Sequence, residues 1–179
     1  MKSILFIFVL TLGTISANAQ MRYVPGDTVK GKNASYYCEN LLPNRTVKVR
    51  NVQNKDTLST ADNGEKVSTD MFTSDSENAF NRIDIVQAFK DVLTSQELKQ
   101  IKGERSNLGI EFTVDKSGNA REITFIIRYS DPVLSRIDPD RLYKLEIKLK
   151  QLLKLKLGQK DRKINNQKFW TNIDYRYDL

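Results

Sequence analysis

Apolar residues recur at every second position in two neighbouring stretches of the chain. Ile110, Phe112 and Val114 alternate with Glu111 and Thr113, and Ile123, Phe125, Ile127 and Tyr129 alternate on the return. A period of two sends successive side chains to opposite faces of a strand, so both stretches predict strands with one apolar face. Asp115-Lys116-Ser117-Gly118 lies between them as a turn, with Gly118 able to take positive φ because it has no Cβ to clash. The pair reads as a hairpin whose apolar face needs a cover.

Helical spacing supplies that cover on both sides of the hairpin. From Ile83 onward, Ile85, Val86, Phe89, Val92 and Leu93 recur at three and four residues and share one face. Ser95 is placed to cap a second short helix through Lys102, with Glu97 in its first turn and Gly103 just past its end. After the hairpin, Asp138 suits an N-cap and Pro139 the first helical position, and Gly158 is the expected stop. Leu142, Leu145, Leu149, Leu152 and Leu153 form the stripe of this helix, whereas Lys156 would return to the apolar side, so fraying is expected before it. The pattern reverts to alternation over residues 169–179. Phe169, Ile173, Tyr175, Tyr177 and Leu179 are expected on one side of a last strand, opposite Asn172, Asp174, Arg176 and Asp178.

The segment before residue 60 has less apolar content. Ser35 to Leu41 and Thr46-Val47-Lys48-Val49-Arg50 read as strands around the turn Leu42-Pro43-Asn44-Arg45, and Asn54-Lys55 is expected to close a further hairpin onto residues 56–60. Residues 61–78, rich in Ser, Thr, Asp and Asn, read as an irregular loop. The expected class is α+β: an antiparallel sheet with helices packed on one face, a hairpin–helix–strand C-terminal half and a β-rich N-terminal segment. The expected division is a leader over 1–19, a β-rich segment with a polar linker over 20–75, and an α+β domain over 76–179.

The leader is expected to be a cleavable signal peptide. Lys2 is its positive start, an uncharged apolar run extends from Ile4 to about Leu12, and Ala17-Asn18-Ala19 has the small-x-small form that a signal peptidase accepts. Cleavage is expected between Ala19 and Gln20. The competing reading, a membrane anchor, needs about 20 apolar residues, and no transmembrane segment is expected in the mature chain. The product is placed in the periplasm or outside the cell.

Composition narrows the chemistry. The chain contains no histidine, which removes Ser-His-Asp and Cys-His nucleophile activation and His-containing zinc sites. Cys38 is the single cysteine, so no intramolecular disulfide can form; between Tyr37 and Glu39 it reads as a half-buried strand position, with an intermolecular bridge or a reactive thiol as the alternatives. No metal and no cofactor is expected, because no Gly-rich phosphate loop, calcium-loop pattern or zinc spacing is present. The formal net charge is +7, of which Lys2 belongs to the leader. Outside the cytoplasm a basic chain meets lipid headgroups and acidic polysaccharide rather than nucleic acid. The partners expected are an envelope protein or an anionic glycan or lipid.

The stretch from Gly109 to Ile123, with its Asp115-Lys116-Ser117-Gly118 turn, followed by a helix and a final strand, resembles the TonB C-terminal domain pattern. The chain as a whole is similar to small exported proteins of unknown function from Gram-negative gut bacteria of Bacteroidetes type. The TonB resemblance implies an antiparallel sheet with a helix and a periplasmic address. It does not extend to energy transmission, since the Pro-rich spacer of that family is missing from a chain with four prolines.

Candidate binding residues fall in two groups. From Arg141 to Lys163 nine Lys and Arg stand against Glu146 and Asp161, and Lys144, Lys148, Lys150 and Lys154 avoid the apolar stripe. They suit an anionic surface or simply a solvated helix face. Among the aromatics Tyr36, Tyr37, Trp170, Tyr175 and Tyr177, alternation assigns most to sheet packing. Trp170 is the exception, pointing away from Phe169 and Ile173 into polar company. Asp27-Thr28-Val29 and Asp56-Thr57-Leu58 are similar to the Asp-Ser/Thr-aliphatic site of Bacteroidetes O-glycosylation, which makes Thr28 and Thr57 candidate modification sites. No pair among the carboxylates is singled out for catalysis. The reading is a non-catalytic envelope protein that binds through its sheet face or basic helix. The alternative is a carboxylate-dependent glycan hydrolase or accessory protein, which would carry an acid-lined cleft.

Overall fold

The structure, a computed structural model, describes residues 21–41, 45–55, 58–67, 75–103 and 107–179. The expected leader with Ala19 and Gln20, most of the Leu42–Arg45 turn, and Thr57 lie outside the described residues. In chain order the elements are β1 (Thr28–Lys30), β2 (Ser35–Leu41), β3 (Thr46–Asn51), β4 (Thr60–Ala61), β5 (Glu77–Asn78), α1 (Arg82–Val92), α2 (Ser95–Gly103), β6 (Asn107–Val114) and β7 (Ala120–Arg128). They continue with α3 (Pro139–Leu152), β8 (Leu155–Lys156), a 3₁₀ turn at Asp161–Lys163, β9 (Ile164–Asn165), β10 (Gln167–Asp174) and α4 (Tyr175–Asp178).

The class is α+β, and the main sheet is antiparallel with six strands in the order β1-β2-β3-β7-β6-β10. The β6–β7 hairpin is the one read from the alternation, and Gly118 in its turn has φ +79°. Strands β1, β2 and β3 extend the same sheet, because β3 pairs with β7 from Thr46↔Arg128 to Arg50↔Thr124. Tyr36, Cys38, Val47, Val49, Ile110, Phe112, Ile123, Phe125 and Ile127 enter one buried cluster with Ile85, Phe89, Leu142, Leu145 and Leu149 of the helices. Helix α3 packs on β7, and α1 packs on α3.

Four local expectations are corrected. The N-cap of α2 is Thr94, not Ser95: Thr94 Oγ1 accepts from Glu97 N at 3.2 Å while the Glu97 carboxylate accepts from Thr94 N at 2.7 Å, a reciprocal capping box. Helix α3 stops at Leu152 rather than near Gly158. Leu153 turns extended, its carbonyl accepts from Ala120 N at 3.1 Å, and Leu155 N donates to Gly118 O at 2.8 Å, so the hairpin turn takes the backbone groups that another helical turn would use. Lys154 and Lys156 are therefore not helical. The last strand ends at Asp174, opposite Asn107, the first residue of its antiparallel partner β6. Asp174 then caps α4 through Arg176 N at 2.9 Å, and the Tyr175 hydroxyl donates to the buried Asp131 at 2.7 Å. Tyr177 consequently leaves the apolar side and is 81% exposed. Finally, Asn54 does not open a hairpin. Its amide donates to Ile123 O at 2.9 Å, and Thr60 and Ala61 pair instead with Asn165 and Ile164.

Three helices are held together by one ion pair. Arg141 of α3 grips both oxygens of Glu97, Nη1–Oε1 at 2.8 Å and Nη2–Oε2 at 2.6 Å, and donates to Val92 O at the end of α1 at 2.7 Å. The Arg141 hydrogen bonds hold the Glu97 carboxyl down at about 2, from an ordinary value of 4.5. A depressed carboxylate stabilises the fold above its unfolded value and loses that contribution as pH falls through the folded one. Glu97→Gln is expected to cost roughly 1–2 kcal/mol at neutral pH, with the gap to wild type closing between about pH 4.5 and pH 2 in urea melts. Cys38 is fully buried, and burial pushes its thiol up to about 11. A thiol that stays protonated and covered reacts slowly. Ellman's reagent is expected to leave the native chain unlabelled and to titrate one thiol per chain after guanidinium unfolding.

Candidate functional site

The period-two pattern that buries one face of the sheet sets out the other face in rows. Thr28, Tyr37, Arg50, Thr124, Glu111 and Trp170 lie in register across all six strands. Glu39, Lys48, Ile126, Gly109 and Asn172 form the next row. The larger side chains of these rows are all partly or well exposed, so this face is open. Its charges are paired across strands, Lys48 with Glu111 at 3.1 Å and Arg50 with Glu39 at 3.6 Å.

Trp170 is the exposed aromatic of this face, at 44%. It is seated by a glycine. A Cβ at Gly109 would lie 3.2 Å from Trp170 Nε1 and 3.0 Å from Ile126 Cβ, so the indole occupies space that any other residue in β6 would fill. A glycine inside a strand costs propensity and gives no packing of its own, which marks it as a place of close approach. Here it holds the ring against the sheet.

Beside the indole lies a groove of about 640 Å³. Trp170, Ile126 and Leu41 are its apolar walls, and Asn107, Asn172 and Arg128 bring amide and guanidinium donors. Arg128 is exposed and has no ion pair among the described residues. A flat ring with planar donors around it can stack against one face of a polar ligand and hydrogen-bond its edge. The groove therefore suits a neutral or anionic polar ligand.

The remaining sequence candidates separate. Tyr36 and Tyr175 are fully buried, and their phenols are pushed well above the ordinary range by burial and by the neighbouring Glu146 and Asp131 carboxylates. Neither joins a stacking platform. Tyr37 is half-buried in the open row. On α3, Lys148 pairs with Asp91 of α1 at 2.7 Å and Lys150 with Glu146 at 2.5 Å, while Lys144 is exposed. Lys154 stands beyond the helix end and is exposed there. Thr28 is exposed on the edge strand β1. Gly109, Asn107, Asn172 and Arg128 carry no functional signal in the sequence beyond a glycine interrupting a strong strand pattern.

No family model matches the chain, and no curated protein matches it. Among solved structures it is similar to the crystal structure of a DUF5043 family protein from Bacteroides uniformis, with a TM-score of 0.66 at 16% identity over 89% of this chain and 91% of that one. At that identity the likeness is one of fold. It gives no support to the TonB resemblance, which rests on the hairpin sequence alone.

Because the chain has a single tryptophan, its fluorescence reports this site directly. Gly109→Ala is expected to displace the indole and shift its emission to the red relative to wild type, with melting temperature lowered by no more than a few degrees. Unchanged emission would mean that Gly109 does not seat the ring.

Proposed function

We propose that the chain is an exported, non-catalytic binding protein of the bacterial periplasm or cell envelope that recognises another envelope component through the open sheet face around Trp170. The observation that carries this reading is the indole held over Gly109 at the wall of a groove supplied with amide and guanidinium donors. A pre-seated aromatic loses little conformational freedom on binding, and that favours recognition. The groove offers these donors where a hydrolase would place a pair of carboxylates, which supports binding over glycan hydrolysis. The Lys2–Ala19 leader pattern supports export. Exposed Thr28 within Asp27-Thr28-Val29 supports O-glycosylation there in a Bacteroidetes host.

Titration of the purified chain with lipopolysaccharide, capsular polysaccharide and soluble peptidoglycan fragments tests the binding reading. One of them is expected to change Trp170 emission saturably, with affinity reduced about tenfold or more in Asn172→Ala or Arg128→Ala, the loss of one or two charged or neutral hydrogen bonds. Calorimetry with Trp170→Ala checks the same loss without the fluorophore. Affinities unchanged in all three variants would refute the site. N-terminal sequencing of the protein recovered from the native periplasm is expected to begin at Gln20.

A further inference from the structure

A second cleft lies at the other end of the β6–β7 hairpin, away from Trp170. The turn over residues 115–119 is pressed onto the chain that leaves α3. A Cβ at Gly118 would sit 2.1 Å from the Leu155 carbonyl oxygen, and the backbones join through Leu155 N to Gly118 O at 2.8 Å. This docking brings Lys116 and Ser117 of the turn together with Lys154 and Lys156. Arg162 of the 3₁₀ turn completes the wall of a cleft of about 610 Å³.

Among the described residues four cations line this cleft and no acidic side chain does. Carboxylates reach only its rim. Lys116 meets Asp62 at 2.6 Å and Lys156 meets Glu77 at 3.7 Å, both as well-exposed pairs of the kind that water and salt weaken. Lys154 is exposed and has no ion pair among the described residues. Arg162 donates Nε to Leu157 O at 3.0 Å, which fixes the guanidinium plane and leaves its Nη groups for other acceptors. Gathering like charges is unfavourable unless an anion offsets them, and here the backbone holds them together regardless.

We propose that the cleft between the Gly118 turn and residues 154–157 is a binding site for a phosphate-type oxyanion. A phosphate group carries more than one negative charge and several acceptor oxygens, matching three ammonium groups, a guanidinium edge and the Ser117 hydroxyl. The same group is found on soluble phosphorylated compounds and on phospholipid headgroups. The site is independent of the Trp170 groove and of whatever binds there.

Calorimetry with inorganic pyrophosphate at low salt, and flotation with phosphatidylglycerol vesicles, test this on the purified chain. Wild type is expected to bind pyrophosphate, with affinity falling steeply as salt is raised. The double variant Lys154→Gln/Arg162→Gln is expected to lose about tenfold or more, whereas Lys99→Gln/Lys144→Gln, which removes equal charge elsewhere, stays within about twofold of wild type. Vesicle binding displaced by pyrophosphate assigns the headgroup as the source, and pyrophosphate binding without vesicle binding assigns a soluble one. If loss of the Leu157 contact unfolds the first variant, Lys116→Gln/Lys154→Gln carries the same expectation. No binding of either probe, or an equal loss in the charge-matched control, overturns the proposal.

Discussion

A buried carboxylate decides where α3 lies. Glu146 is fully shielded from solvent, and its Oε2 accepts from the Tyr36 hydroxyl at 2.7 Å and from the Asn51 amide at 3.0 Å, while Lys150 approaches Oε1. Stripping a carboxylate of water costs several kcal/mol, and the cost is offset only where partners are already in place. Those partners sit on β2 and β3, so α3 has to lie across the N-terminal half of the sheet as well as on β7. The Leu142, Leu145 and Leu149 stripe makes the contact favourable in general; Glu146 makes one placement of the helix better than its neighbours. Tyr36 is kept protonated by burial and by that same carboxylate, and so remains a donor to it.

From this placement follows the division of the sheet into a covered and an open face. With α3 and α1 on one side, every second residue of the strands is committed to the core. The intervening residues must then satisfy themselves, and they do so by pairing charges across strands, as in Lys48–Glu111 and Arg50–Glu39. Trp170 and Arg128 are left outside these pairings. An indole on an open face is stabilised only by what it can lie against, and Gly109 and Ile126 provide that surface. The groove is thus a by-product of one-sided covering, shaped by a single missing side chain.

The cationic residues show how far linear order can mislead. Lys144, Lys148, Lys150 and Lys154 follow one another in sequence as if along one helix face. In the fold, two of them are neutralised by Asp91 and Glu146, and Lys154 falls beyond the helix into the company of Lys116, nearly forty positions earlier in the chain. What joins Lys154 to Lys116 is the docking of a glycine turn onto a strand backbone, a contact with no periodic signature. The same docking explains why α3 ends before Gly158: the hydrogen-bonding groups of residues 153–155 are claimed from outside the helix.

The alternating stretches of β6 and β7, the Gly118 turn, and the stripes of α1 and α3 were legible in the residues themselves. Each depends on neighbours within a few positions, where local geometry and burial act together. The outward direction of Trp170 was legible for the same reason. Strand order, the union of β3 with β7, the end of α3, the helical turn at Tyr175 and the two clefts were decided by tertiary structure alone. They rest on hydrogen bonds and contacts between segments far apart in the chain, and such pairings leave no trace in local hydrophobic periodicity.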